Sequence, residues 1–90
     1  MPKIVPKYPP NYAIICEHIP AVKMHPAIVF TYGSTIYNPS GAKLRSDFIA
    51  HEMTHAERQT NPVEWWHNYL NDKTFRLAEE IAAYRVQYQY

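Results

Sequence analysis

The chain has 90 residues, which is enough for one small domain and no more. Apolar residues make up 47% of it and charged residues 19%, and this balance excludes a disordered or fibrous chain. The 9 Lys and Arg residues against 8 Asp and Glu leave a formal net charge of +1, too small for the broad positive field that recruits nucleic acid, so we expect no nucleic-acid partner.

The chain begins with a proline-rich segment. Residues 1–10 include four prolines, which fix the backbone dihedral angle φ and remove hydrogen-bond donors, so we expect an extended arm. Residues 11–17 (NYAIICE) have a short apolar centre that fits either a strand or one helical turn, and we expect a short strand there.

A β-hairpin is predicted next. Residues 27–32 (AIVFTY) are rich in the β-branched and aromatic side chains that are typical of strands. Gly33 and Ser34 permit a turn, residues 35–37 (TIY) resume an extended run, and residues 38–41 (NPSG) are a strong turn signal. The predicted hairpin therefore covers residues 28–37.

Three helices are predicted after the hairpin. The first is indicated by apolar residues at helical spacing, which are Leu44, Phe48, Ile49 and Met53. It ends near residue 59. Asn61 as cap, followed by Pro62 and Glu64, predicts a second helix to about residue 70. Asp72 can cap a third helix that continues to near the C-terminus. We therefore predict an α+β fold in a single domain, residues 1–90, in which the arm and a small hairpin or sheet pack on three helices.

The first predicted helix contains the pentapeptide His51-Glu52-Met53-Thr54-His55, an HExxH motif. Residues four apart lie one turn above each other, so both imidazoles can bind one tetrahedral zinc ion. Glu52 is offset by one residue, which lets its carboxylate reach a water activated by the metal and act as general base. The implied reaction is zinc-dependent hydrolysis of a peptide bond, which makes the protein an enzyme.

A catalytic zinc needs a third protein ligand, and the third predicted helix offers Glu79 and Glu80. Adjacent helical residues point about 100° apart, so we expect only one of them to coordinate. Periodicity leaves the choice between them open. The ligand types favour zinc, although two imidazoles and a carboxylate also accept cobalt, nickel or manganese.

Four segments together resemble a known group of proteins: HEMTH (51–55), PVEWW (62–66), YL (69–70) and FRLAEEIAAY (75–84). They are similar to small zinc metallopeptidases encoded by phages and prophages, which resemble minimal gluzincins. In gluzincins the third ligand is a glutamate in an E-x-x-A-D type setting, and residues 80–84 (EIAAY) match it except at the last position. The resemblance therefore implies a minimal zincin-like core with Glu80 as the third ligand. It also implies a catalytic role for Tyr84, as a donor to the oxyanion or to a ligand, in place of the usual aspartate.

The resemblance further implies how a substrate binds. In gluzincin-like folds an extended peptide pairs with an edge strand, so residues 28–32 or 35–37 would take that role here. Two other functions remain open: a metal-stabilised, non-catalytic binding module of a phage particle or host-interaction system, and a metal-dependent hydrolase of a non-peptide bond such as a cell-wall crosslink.

No stretch of the sequence approaches the roughly 20 apolar residues that cross a bilayer, and its start lacks the apolar core of a signal peptide. We therefore expect no membrane partner and synthesis in a cytoplasm, which the resemblance implies is that of a phage host cell. The sequence leaves the oligomeric state open.

Overall fold

A computed structural model describes residues 3–90, so the first two residues of the predicted arm lie outside the described residues. Within this range the chain forms a small three-stranded sheet and four α-helices, which confirms the α+β class. None of these helices is long and apolar enough to cross a bilayer.

The sheet contains the predicted hairpin and one strand that was not expected. The hairpin consists of β2 (Phe30–Tyr32) and β3 (Thr35–Tyr37), paired antiparallel, with Gly33 in the turn at a φ of 61° that favours glycine. Strand β1 (Lys3–Val5) pairs parallel to β3 on its other side. The predicted arm is therefore partly a strand of the sheet.

The strand order β1-β3-β2 decides which strand has a free edge beside the helices. Because β3 is paired on both sides, residues 35–37 cannot pair with a substrate, and that prediction is wrong. Strand β2 lies at an edge and contacts the helix of the HExxH motif, so of the two strands it alone remains a candidate for that role.

The strand predicted for residues 11–17 is wrong. This segment forms helix α1 (Tyr12–His18), followed by a 3₁₀ helix (Pro20–Met24). The residues of this segment that face the core follow helical steps of three and four, and they are Tyr12, Ile15, Cys16 and Ile19. A strand would instead have buried alternate residues, and it would have placed Ile14, which is 51% exposed, on the face opposite Ile15. Residues 3–90 accordingly form four α-helices rather than three.

The three helices predicted after the hairpin are confirmed as α2 (Ser46–Arg58), α3 (Pro62–Asn71) and α4 (Lys73–Tyr88). Asn61 caps α3 by accepting a hydrogen bond from the backbone N–H of Glu64, at 3.2 Å. Asp72 caps α4 by accepting from the backbone N–H groups of Thr74 and Phe75.

The hydrophobic core lies between the sheet, α1 and α3. Its buried members are Ile15, Phe30, Trp65, Trp66 and Leu70. Helix α4 packs along α2 in the most extensive contact between two elements of the described chain. This packing brings the C-terminal helix to the HExxH motif.

Candidate metal centre

Helix α2 places the two motif histidines on one buried face. His51 is 7% exposed and His55 is 5% exposed, and their ring centroids are 4.9 Å apart. The spacing of four residues is the direct cause, because it stacks the two side chains on successive turns.

Helix α4 adds Glu80 to this pair. The Glu80 Oε1 atom lies 3.3 Å from His51 Nε2, and its Oε2 atom lies 2.9 Å from His55 Nε2. Burial opposes the charge of this carboxylate, but its hydrogen bonds with His51 and His55 outweigh burial and hold the pKa of Glu80 well below its usual range. One carboxylate therefore meets both imidazoles at the nitrogens that would bind a metal.

Glu79 points to a different part of the molecule. Its carboxylate accepts two hydrogen bonds from Arg58 Nε, at 3.0 Å each, one from Arg58 Nη2 at 2.7 Å, and one from Trp65 Nε1 at 2.7 Å. Burial works against its charge, but the hydrogen bonds from Arg58 and Trp65 hold the pKa of Glu79 below its usual range. These bonds occupy Glu79 and join α4 to α2 and α3.

Glu52 lies beside the histidines, and a residue of the sheet holds it by a hydrogen bond. Thr31 Oγ1 in β2 donates a hydrogen bond to Glu52 Oε1 at 2.8 Å, while Glu52 Oε2 lies 3.7 Å from His51 Nε2. Burial raises the pKa of Glu52 above its usual value, despite the opposing effects of His55 and Thr31. The candidate ligand atoms of His51, Glu52 and His55 all lie within 4.8 Å of one another.

The other ring nitrogen of His51 is fixed by a residue that the sequence did not indicate. His51 Nδ1 lies 2.9 Å from Gln87 Oε1, and Gln87 Nε2 donates to Asp47 Oδ2 at 3.4 Å. Because an amide oxygen only accepts, Nδ1 donates to Gln87 and Nε2 faces the centre. There Nε2 donates to Glu80 when the ring is doubly protonated, and it is available to a metal when the ring is neutral. Burial lowers the pKa of His51, but the hydrogen bond with Glu80 and the charges of Glu52 and Glu80 outweigh it, so this pKa is raised.

His55 differs from His51 in the contacts of its Nδ1 atom. Its Nδ1 atom is buried and has no hydrogen-bond partner among residues 3–90, and the neighbouring Trp65 meets the ring at an angle of 65° with the centroids 5.5 Å apart. The ring of His55 therefore packs against Trp65, and no hydrogen bond from the described residues fixes its Nδ1 atom.

Two tyrosines of the described chain contact the centre, and only one was predicted to. The ring of Tyr84 meets His51 edge-on at 4.6 Å between centroids, and its hydroxyl makes no hydrogen bond within the described range. Tyr69 donates its hydroxyl to Glu80 Oε2 at 3.1 Å. The structure thus places Tyr84 beside a candidate ligand and places Tyr69 directly on another.

Sequence reasoning missed Thr31, Tyr69 and Gln87. Gln87 follows Glu80 and Tyr84 at helical steps of four and three, so the spacing on α4 offered a signal for it. Thr31 and Tyr69 gave no such signal, because their contacts depend on how β2 and α3 pack against the other helices.

The distances in this cluster can be compared with those expected around a bound metal ion such as zinc. Four ligand atoms placed tetrahedrally at about 2.0–2.1 Å from zinc lie about 3.3 Å from one another. The observed separations, 3.3 Å from His51 Nε2 to Glu80 Oε1 and 2.9 Å from His55 Nε2 to Glu80 Oε2, are near that value, although they join two different oxygens of the carboxylate. His51, His55 and Glu80 are therefore close enough together to be ligands of one ion.

Comparisons of the chain with models of known protein families, with curated protein sequences and with solved structures found no match. Any function must therefore be argued from the site itself.

Proposed function

We propose that the chain is a zinc-dependent peptidase in which His51, His55 and Glu80 hold the metal and Glu52 is the general base. The main support is a single observation: the two Nε2 atoms from α2 converge on one carboxylate from α4, at 3.3 Å and 2.9 Å. Two imidazoles and one carboxylate are a ligand set of catalytic zinc sites, which leave one position open.

Zinc, when bound, supplies a Lewis acid that acidifies water and polarises the peptide carbonyl. Glu52 then accepts a proton from the attacking water and passes it to the nitrogen of the leaving amine. Thr31 keeps the Glu52 carboxylate beside the histidines by its hydrogen bond of 2.8 Å. Tyr84 borders the same space and is our candidate donor to the carbonyl oxygen that becomes negative.

The edge of β2 is the proposed place for an extended peptide substrate. Part of this edge is already occupied, because the backbone carbonyl of Thr31 accepts hydrogen bonds from Gln59 Nε2 at 2.8 Å and Trp66 Nε1 at 3.0 Å. A substrate would therefore pair with the backbone at Val29, because Phe30 is paired with Tyr37 of β3 and the N–H of Ile28 already donates to the carbonyl of His25. Val29 borders the same space as His51 and Glu52.

The substitution Glu52→Gln tests this function directly. We expect the zinc-loaded variant to lose cleavage of a fluorogenic peptide library and to retain one zinc ion per chain, because glutamine cannot accept the proton and Glu52 is not a proposed ligand. Glu57→Gln is the matched control, since Glu57 is an exposed glutamate of the same helix. Turnover by the Glu52→Gln variant at the wild-type rate would refute the proposal.

A metal-stabilised binding module is the second candidate. Ile15 and Ile36 are the largest side chains of the described residues that are fully buried, so an ion joining α2 to α4 would add substantially to a small core. A wild-type protein that binds one zinc ion and cleaves no peptide of the library would favour this function.

A further inference from the structure

Helix α4 has an apolar outer face. Among its exposed residues, all of which lie in the described part of the chain, Lys73 and Arg85 alone carry a charge. An outer helix face that meets only water is normally polar. Four large apolar side chains dominate this face instead, and they are Leu77, Ile81, Tyr84 and Tyr88, which are 62%, 42%, 44% and 81% exposed. An apolar surface of this kind is suited to contact with another protein.

The four side chains, called the α4 row below, follow the spacing of a helix–helix seam. Their steps along the chain are four, three and four residues, which place them on one line along the helix. An apolar repeat with these steps is the surface by which one helix packs on another. Ala78 borders the row with only a methyl group, so a second helix can approach closely. The spacing therefore indicates a helix as the occupant.

The α4 row is complementary to itself when one of two copies is reversed. The steps of four, three and four residues read the same in both directions, so two antiparallel rows coincide along their whole length. Leu77 then meets Tyr88 of the second copy, and Ile81 meets Tyr84 of the second copy. Each layer of contact thus pairs a ring with a smaller aliphatic side chain, whereas parallel rows would pair ring with ring. This self-complementarity is what a symmetric dimer requires.

The area of the α4 row is close to what such a dimer needs. A fully exposed tyrosine presents about 200 Å², so Tyr84 and Tyr88 at their observed exposures present about 250 Å² together. Leu77 and Ile81 add on the order of 100 Å² or more. A standard interface buries about 800 Å² on each partner, of which about 450 Å² is apolar. The row alone therefore supplies most of that apolar area.

We propose that a second copy of this chain docks on the α4 row, so that two α4 helices pair antiparallel in a homodimer. The inference does not depend on the proposed peptidase function, because the row contains none of the proposed metal ligands. Tyr84 belongs to the row and also meets His51 edge-on, at 4.6 Å between centroids. The dimer interface would therefore adjoin the candidate metal centre and cover the side of Tyr84 that faces away from His51.

Sedimentation velocity at protein concentrations from about 1 µM to about 1 mM tests the dimer, because weak homodimers with an interface of this size dissociate in that range. We expect the wild-type protein to change from the mass of one chain to the mass of two as its concentration rises. The mass of one chain at every concentration would overturn the proposal, and it would leave the α4 row to a helix of a different protein.

Substitutions in the α4 row show whether it forms the dimer. Leu77→Glu and Tyr88→Lys each place a charge in the row, and each should weaken dimerisation by about 100-fold or more, since every dimer contains the change twice. Both side chains are largely exposed in the single chain, so both variants should keep the circular dichroism of the wild type. Val63→Glu is the matched control, because Val63 is 70% exposed on α3 and lies outside the row. A dimer of wild-type strength in either row variant would overturn the proposal.

A double variant with both Leu77→Glu and Tyr88→Lys tests the orientation of the two helices. In antiparallel copies each introduced acid faces an introduced base of the second copy, so the double variant should dimerise at least about tenfold more tightly than either single variant. In parallel copies like charges would face each other and weaken the dimer further. A double variant that dimerises no more tightly than the single variants would overturn antiparallel pairing.

Discussion

Gln87 contacts His51 on the side of the imidazole ring that faces away from the metal centre. The amide oxygen of Gln87 fixes the proton on His51 Nδ1, and Asp47 in turn holds the amide by a contact of 3.4 Å. Asp47 is itself bound by Arg45. In zinc proteins such outer contacts orient the ligand and strengthen its bond to the metal.

The substitution Gln87→Leu should therefore weaken zinc binding by about 10- to 100-fold. The measurement is competition with a chromophoric chelator. Gln89→Leu, at an exposed residue of the same C-terminal region, should bind zinc as the wild type does. Wild-type zinc affinity in the Gln87→Leu protein would show that this contact has no influence on the ligand.

Among the secondary-structure elements, those with local signals were predicted and those without were not. Helices α3 and α4 have their capping residues, Asn61 and Asp72, in the sequence, and both caps form as expected. The hairpin likewise has its turn residues in place. Strand β1 could not be predicted, because its partner β3 lies some thirty residues away along the chain. The prolines on either side of β1 also argued against a paired strand there.

The same distinction applies to the candidate site. The HExxH spacing predicts that His51 and His55 share one face, and the structure brings them together. The choice between Glu79 and Glu80 needed the rotation of α4 about its axis, which hydrophobic spacing alone did not determine. Arg58 and Trp65 bind Glu79, and this contact between three helices leaves Glu80 facing the histidines.

The cap of α4 by Asp72 stabilises the start of that helix. Asp72 accepts from two backbone N–H groups at the start of α4, so Asp72→Ala should lower the free energy of unfolding by about 1 kcal/mol. Asp72→Asn keeps an accepting oxygen, so it should lose only a small part of this stabilisation. Urea denaturation measures both, and equal stability of the Ala variant and the wild type would show that this cap does not stabilise the fold.

For the whole molecule, the metal centre would join the two helices that bear its ligands. Helices α2 and α4 already share the most extensive contact of the described chain, and the ion pair between Arg58 and Glu79 reinforces it on one side. A zinc ion held by His51, His55 and Glu80 would join the same helices at a second point. Because zinc would bind at this centre only in the folded chain, its binding must raise the free energy of unfolding by mass action.

Zinc at 100 times its dissociation constant should stabilise the fold by about 2.7 kcal/mol. For a domain of this size this corresponds to a rise in Tm of about 10–20 °C, which a chelator should reverse. Thermal unfolding followed by circular dichroism measures the effect, and His55→Ala is the variant that should lose it. A Tm that changes neither on addition of zinc nor on addition of chelator would argue against a metal in this fold.

Metal content, measured by elemental analysis on wild type, Glu80→Ala and Glu79→Ala, tests the proposed centre most directly. We expect one zinc ion per chain in the wild type, loss of the ion in Glu80→Ala, and retention in Glu79→Ala. The Glu79 variant should instead lose about 1–3 kcal/mol of stability, because the buried Trp65 Nε1 is left without its acceptor. A wild-type protein without bound metal would contradict the account. So would an ion that is lost in Glu79→Ala and retained in Glu80→Ala.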